Sequence, residues 1–187
     1  METLEQIASK VAVCTLCGLS SGRKNAVPGE GPSVSKLFVI GEAPGRFEDE
    51  AGRPFVGISG KFLTKTLEEA GIKRESIFIT NVVKCRPPEN RKPLDSEISA
   101  CHAYLIGQLE AIKPRLVLAL GASACSGIGL DFKRLSDVRG KIQEFSVGNM
   151  AFKLLVTFHP SFARRSRKGR EIFLQDIKQA ARLLAEQ

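Results

Sequence analysis

The stretch KLFVIGEAPG (36–45) decides the fold. Its aliphatic and aromatic run, Leu37 to Ile40, breaks at Gly41 into a loop that turns on Pro44 and Gly45. The run is apolar without alternation, as in a strand buried on both faces of a parallel sheet. Three further stretches share this character: SIFIT (76–80), RLVLAL (115–120) and KLLVTF (153–158). Helical patterns lie between them. Ser59 is placed to cap a helix through Phe62, Leu63, Leu67 and Ala70, which Gly71 ends. Asp95 or Ser96 opens a second helix, with Ile98, Cys101, Leu105, Leu109 and Ile112 on one face. A shorter helix follows Gly121. The tail from Glu171 to Glu186 forms another along Ile172, Phe173, Ile177, Ala180 and Leu184, and Leu4, Ile7, Ala8 and Val11 mark one at the N-terminus. The alternation predicts an α/β protein: a three-layer α/β/α sandwich with a four-stranded, mostly parallel central sheet, residues 1–187 forming one domain.

Composition narrows the class of function. Of 187 residues, 43% are hydrophobic and 26% charged, a soluble globular balance that excludes disorder as the main state. The longest apolar runs, such as Leu116 to Leu120, fall far short of the ~20 residues of a membrane span. The N-terminus METLEQIASK carries glutamates where a secretory signal has basic and apolar regions. A cytoplasmic monomer without membrane association is expected. Its net charge of +8 favours a phosphate-rich partner. Arg164, Arg165, Arg167, Lys168 and Arg170 concentrate that charge in one segment, although such a run can also be a solvated loop.

The chain has five cysteines: Cys14, Cys17, Cys85, Cys101 and Cys125. In a reducing compartment they do not form a disulfide framework. Cys14 and Cys17 are a C-x2-C pair, and Cys85 and Cys101 could complete a four-thiolate site. Zinc and an iron–sulfur cluster both suit that donor set, and small buried hydrophobes are the alternative for Cys85 and Cys101. Cys125, within GASACSGIG, reads as a core thiol.

Ligands of open α/β sheets bind beyond the carboxyl ends of the strands. Those positions here are GEAPG (41–45), NVVKCRPPENR (81–91), GASAC (121–125) and HPS (159–161). Glu42, Asn81 and His159 would therefore converge on one crevice, though each alone could be a turn or cap residue. Gly41 and Gly45 bracket Pro44 and let the backbone expose its amides. Phe55 is either core or a stacking platform for a base. GEAPG lacks the Lys-Ser/Thr of a phosphate-binding P-loop, which argues against a nucleoside triphosphatase.

GEAPG followed by an acidic stretch, then RPFVG, NVVKCRPPENR and HPS, joined to four cysteines in this order, resembles family 4 uracil-DNA glycosylases. The resemblance runs from about Cys14 to the end of the chain. It implies the sandwich fold above, a 4Fe-4S cluster on Cys14, Cys17, Cys85 and Cys101, and removal of uracil from single- or double-stranded DNA in base excision repair. By the same resemblance Phe55 stacks on uracil, Asn81 reads its O4 and N3–H edge, and Gly41, Ala43 and Ser161 line the pocket. Ala43 stands where some members have glycine, a position that bears on exclusion of thymine's methyl. His159 is the candidate donor to O2, and Glu42, Glu48 and Asn90 are candidates to position water or shape the pocket. Phe162 is the candidate wedge for the gap left by a flipped base, in a stretch where the family more often has leucine. Arg164, Arg165, Arg167 and Lys168 would hold phosphates. The rival is a metal- or cluster-stabilised nucleic-acid-binding module without chemistry. An electron-transfer role is disfavoured, because no flavin or nicotinamide site accompanies the cysteines.

Overall fold

Alternate side chains of the first strand enter different cores. Phe38 and Ile40 join one buried cluster, Leu37 and Val39 the other. The computed structural model describes residues 2–186, and this strand, β1 (Leu37–Gly41), lies within a single five-stranded sheet. The others are β2 (Phe78–Asn81), β3 (Leu116–Leu120), β4 (Ile142–Val147) and β5 (Met150–Thr157), in the order β2-β1-β3-β5-β4. β2, β1, β3 and β5 are parallel, with Ile40 opposite Thr80 and Val39 opposite Leu118. The chain leaves β1 towards one side and returns across it to β3, so the order reverses between β1 and β3. That switch point opens a crevice beyond the strand ends.

Helices α1 (Leu4–Ala12), α2 (Arg46–Ala51), α3 (Ile58–Glu69), α4 (Asp95–Ile112), α5 (Ala122–Gly127), α6 (Leu135–Val138), α7 (Pro160–Ala163) and α8 (Arg167–Ala185) complete the element order with short 3-10 turns. α4 and α5 cover one face of the sheet through Leu105, Leu109 and Ala124. α3 and α8 cover the other through Leu63, Leu67, Phe173 and Ile177. Each large apolar side chain fully buried in this way contributes about 1.5–3 kcal/mol relative to exposure. Among the described residues no helix is long and apolar enough to cross a membrane.

The sheet has five strands where four are predicted. β4 was missed because it is an antiparallel edge strand with one wet face. Ile142, Glu144 and Ser146 are exposed, while Gln143, Phe145 and Val147 are half-buried. Its signal is alternation, not a continuous apolar run. A two-residue Gly-Asn connection, with Gly148 at φ +57°, joins it to β5. Three helix starts also move. Gly57, not Ser59, caps α3. Leu94 precedes α4, where the Glu97 carboxylate accepts the Leu94 N–H at 2.8 Å. α8 begins at Arg167 instead of Glu171, capped by Ser166, whose Oγ accepts the Gly169 N–H at 3.0 Å.

Candidate active site

A cleft of about 380 Å³ lies beyond the ends of β1, β2 and β5. Glu42, Ala43, Phe55, Asn81, Asn90, His159 and Ser161 line it, with Glu48 and Arg165 at the same cavity. Gly41 is not itself a lining residue but packs against two of them. A Cβ there would come within 2.4 Å of both Asn81 Oδ1 and the Phe55 ring, so only glycine permits their approach. Asn81 is buried, and among the described residues its Oδ1 has no hydrogen-bond partner. Such a buried orphan acceptor is costly unless a ligand supplies the donor.

Phe55 is held against the cleft at φ +51°, a left-handed conformation unusual for a bulky residue. The loop is secured from two sides. Glu48 accepts the Gly45, Val56 and Gly57 N–H groups at 3.1, 2.9 and 2.8 Å. Arg74 donates to the carbonyls of Pro54 and Phe55 at 2.6 and 3.0 Å and pairs with Glu30 at 2.8 Å. Gly60 lets the loop pass, since a Cβ would sit 1.9 Å from the Phe55 oxygen. Both Glu48 oxygens are therefore committed to backbone.

Glu42 is held differently. Ser123, on α5 after β3, donates to one carboxylate oxygen at 2.5 Å, bridging the switch point. The other oxygen has no protein partner among the described residues. His159 follows β5, and its ring centroid lies 6.2 Å from that of Phe55. The Ser161 N–H donates to His159 Nδ1 at 3.2 Å, and Ser161 Oγ lies 2.8 Å from the same atom. Burial lowers the His159 pKa below its ordinary value, against the opposing charges of Glu42 and Glu48. The imidazole is thus neutral near pH 7 with Nδ1 an acceptor, which leaves its one proton on Nε2.

The basic segment divides. Phe162 is exposed on α7, its ring 5.1 Å from that of Phe158. Arg165 reaches the cleft and Lys168 is exposed. Arg167 pairs with Glu171 at 2.8 Å. Arg164 turns away from the cleft towards α3, so the cluster does not form one surface. Asn90 sits exposed at the rim, its Oδ1 accepting from Arg86 Nε at 2.8 Å.

The sequence pattern of the Uracil DNA glycosylase superfamily matches residues 28–182. The chain belongs to this superfamily. It is 44% identical over 183 residues to the Type-4 uracil-DNA glycosylase of Thermotoga maritima, covering 96% of this chain and 93% of the relative. It is 42% identical over 178 residues to the Type-4 enzyme of Pyrobaculum aerophilum, covering 93% and 91%. A Type-5 uracil-DNA glycosylase of the same organism is 31% identical over 151 residues, covering 72% of this chain and 65% of that relative.

Behind the cleft lies a second feature of this family member. Cys14, Cys17, Cys85 and Cys101 line one apolar hollow with Val11, Leu19 and Tyr104. The loop after α1, the exit of β2 and α4 bring them together. Arg23 donates to Cys85 Sγ at 3.0 Å and to the Ala12 carbonyl at 2.9 Å. Burial pushes the Cys101 thiol up to about 11 and raises Cys85 as well. Cys125 stands apart as a buried thiol of α5, pushed up to about 12 by burial.

Ser123, Ser59, Arg91 and Arg74 were not singled out as site residues from sequence. Ser59 and Arg91 line the cleft, while Ser123 and Arg74 hold side chains or backbone that do. Ser123 carried one usable signal, its place just past a strand end. Arg74 carried none, since its partners are 10 to 44 positions away.

Proposed function

We propose that this chain is a monofunctional glycosylase that excises uracil from DNA, leaving an abasic site, and works as a single-domain monomer. The observation that carries this reading is the buried Asn81 Oδ1, without a hydrogen-bond partner among the described residues, beside the Phe55 ring. An acceptor there meets uracil N3–H, while the Asn81 amide N–H donates to O4. Cytosine presents the opposite pair on that edge and is refused. A target base turned out of the stack lies against Phe55.

The chemistry follows from how each group is held. As the N1–C1′ bond breaks, its electron pair leaves on uracil, and negative charge grows at O2 and O4. His159 Nε2–H meets O2, the donor role of an oxyanion hole. C1′ becomes oxocarbenium-like, and water adds to it, losing a proton that balances the charge on the departing uracil. Glu42, with one oxygen tied to Ser123 and one free, orients that water. Glu48 shapes the pocket through the Phe55 loop, because both its oxygens are spent on backbone. Asn90 closes the rim.

Phe162 is the candidate wedge, and Arg165 and Lys168 contact phosphates. α8 opens with Arg167, Lys168 and Arg170 and has no acidic residue in its first turn. Like charge at a helix N-terminus is unfavourable by about 0.3–1 kcal/mol each, a cost that phosphate relieves.

The four cysteines fit a 4Fe-4S cluster. The donor set is all sulfur, and all four side chains line the same apolar hollow. When bound, the cluster supplies a cross-link between the segment after α1, the β2 exit and α4.

The test is release of free base from oligonucleotides carrying a single uracil, thymine or cytosine, with alkaline cleavage at abasic sites as readout. Cleavage confined to uracil is expected. DNA binding without cleavage would establish the non-catalytic module instead.

A further inference from the structure

Lys84 is the one lysine buried among the described residues, at 1% exposure. An ammonium has three protons and no acceptor. Each proton here finds a neutral oxygen: Thr80 Oγ1 at 2.6 Å, the Asn81 carbonyl at 2.7 Å and Gln108 Oε1 at 2.8 Å. A second layer steadies these acceptors. Thr80 Oγ1 and Gln108 Nε2 both donate to the Pro28 carbonyl, at 2.9 and 2.6 Å. The Lys84 carbonyl in turn accepts the Val27 N–H at 2.7 Å. Among the described residues no carboxylate takes part, so the ammonium is held by neutral oxygens, with the cysteine hollow beside it.

A buried charge held this way, directly behind the base-reading residue, has a use at the cleft. Asn81 is the last residue of β2, and among the described residues its side-chain oxygen has no partner to orient it. Its aim must come from the backbone. Building on the uracil reading above, we infer that Lys84 is a positioning residue for Asn81: it grips the Asn81 carbonyl and so fixes how the side-chain amide meets the base. Lys84 also lines the cysteine hollow and precedes Cys85 in sequence. Gln108 lies two turns beyond Cys101 on the same face of α4. One side chain therefore connects the cysteine site to the reading head of the cleft.

The test compares wild type, Lys84→Met, Asn81→Ala, the double variant and Ile112→Ala, a cavity variant in α4 remote from the cleft. Each is assayed for single-turnover uracil release, inhibition by free uracil and affinity for abasic-site DNA. Iron content, visible absorbance and melting temperature report the cysteine site and the fold. Lys84→Met is expected to slow release and weaken uracil inhibition by about 10-fold or more, the scale of a small misplacement of a positioning group. Affinity for abasic DNA, which lacks the base, stays within about two-fold, and the double variant is no slower than Asn81→Ala within about three-fold. Ile112→Ala loses melting temperature yet keeps its rate within about three-fold, separating stability from aim. Lys84→Met within three-fold of wild type, or losses that add in the double variant, would overturn the inference. If Lys84→Met does not fold, Lys84→Gln, with one donating amide, replaces it under the same two outcomes. Wild-type protein that releases no uracil would overturn the parent reading instead.

Discussion

The cleft and the cysteine hollow flank the exit of β2 and are built in opposite ways. In the cleft the working side chains already have partners. Ser123 holds Glu42, Ser161 holds His159, and Glu48 and Arg74 hold the Phe55 loop. Among the described residues Asn81 Oδ1 has no partner and Glu42 keeps one oxygen free. In the hollow the four cysteines line apolar walls, and Arg23 supplies a hydrogen bond to Cys85. The first site is organised by the polypeptide; on the proposed cluster reading the second is organised by what binds in it. Removing a cleft residue should therefore cost rate, and removing a cysteine should cost stability.

The sharpest test of this contrast is His159→Ala. Loss of one preorganised donor to the leaving base is expected to slow uracil release by about 10²–10³-fold, with melting temperature nearly unchanged. A rate within a few-fold of wild type would remove His159 from the chemistry. Cys17→Ser should behave in the opposite sense. Iron content falls and the melting temperature drops by on the order of 10 °C, as expected when about 3 kcal/mol is lost from a chain of this size. A variant that keeps its iron and its melting temperature would break the comparison.

Glu48→Gln sits between the two. It replaces an acceptor of three backbone N–H groups with an amide that turns its own donor towards them. A loss of about 1–3 kcal/mol is expected by denaturant unfolding, with slower release because Phe55 loses its brace. Glu42→Gln, by contrast, should slow release with little change in unfolding. Equal behaviour of the two variants would show that the carboxylates are not divided in role.

The pH profile is a gentler probe. In the proposed mechanism His159 acts as the neutral imidazole, and burial holds its folded pKa below the ordinary value near 6.5. Activity should be level through neutral pH and fall only on the acid side, as protonation places a second proton on Nδ1 against the Ser161 N–H. The stability sign is the same. A depressed pKa means the unfolded chain binds the proton first, so its stabilisation is complete above the unfolded value and lost as pH falls through the folded one. A rate that rises on acidification would contradict a neutral donor. The smallest effect is expected from Lys168→Ala: a modest, sequence-independent weakening of DNA binding, with the salt dependence shallower by about one unit. Arg167→Ala should do less, because Glu171 already neutralises that guanidinium.

Much of this was legible in the chain. Buried parallel strands announce themselves as continuous apolar runs, and the loops after them contain Glu42, Asn81 and His159, all of which line one cleft. β4 was hidden because a half-wet edge strand writes only a weak alternation. The basic run was legible as charge but not as a surface. The turn that ends α7 puts successive residues on different sides, Arg164 towards α3 and Arg165 to the cleft.

By itself the sequence determined the residue types, their order and the strand ends on which they fall, because local periodicity and turn chemistry are properties of neighbours in the chain. Only the tertiary structure decided what each one does. Glu42 and Glu48 are six positions apart and chemically identical, yet Ser123, 81 residues from Glu42, leaves one oxygen free, while backbone amides consume both oxygens of the other. Likewise Lys84 reads as an ordinary surface lysine until Gln108 and Asn81 are folded around it. A carboxylate or ammonium takes its role from the hydrogen bonds that surround it, and those partners meet only when distant segments pack.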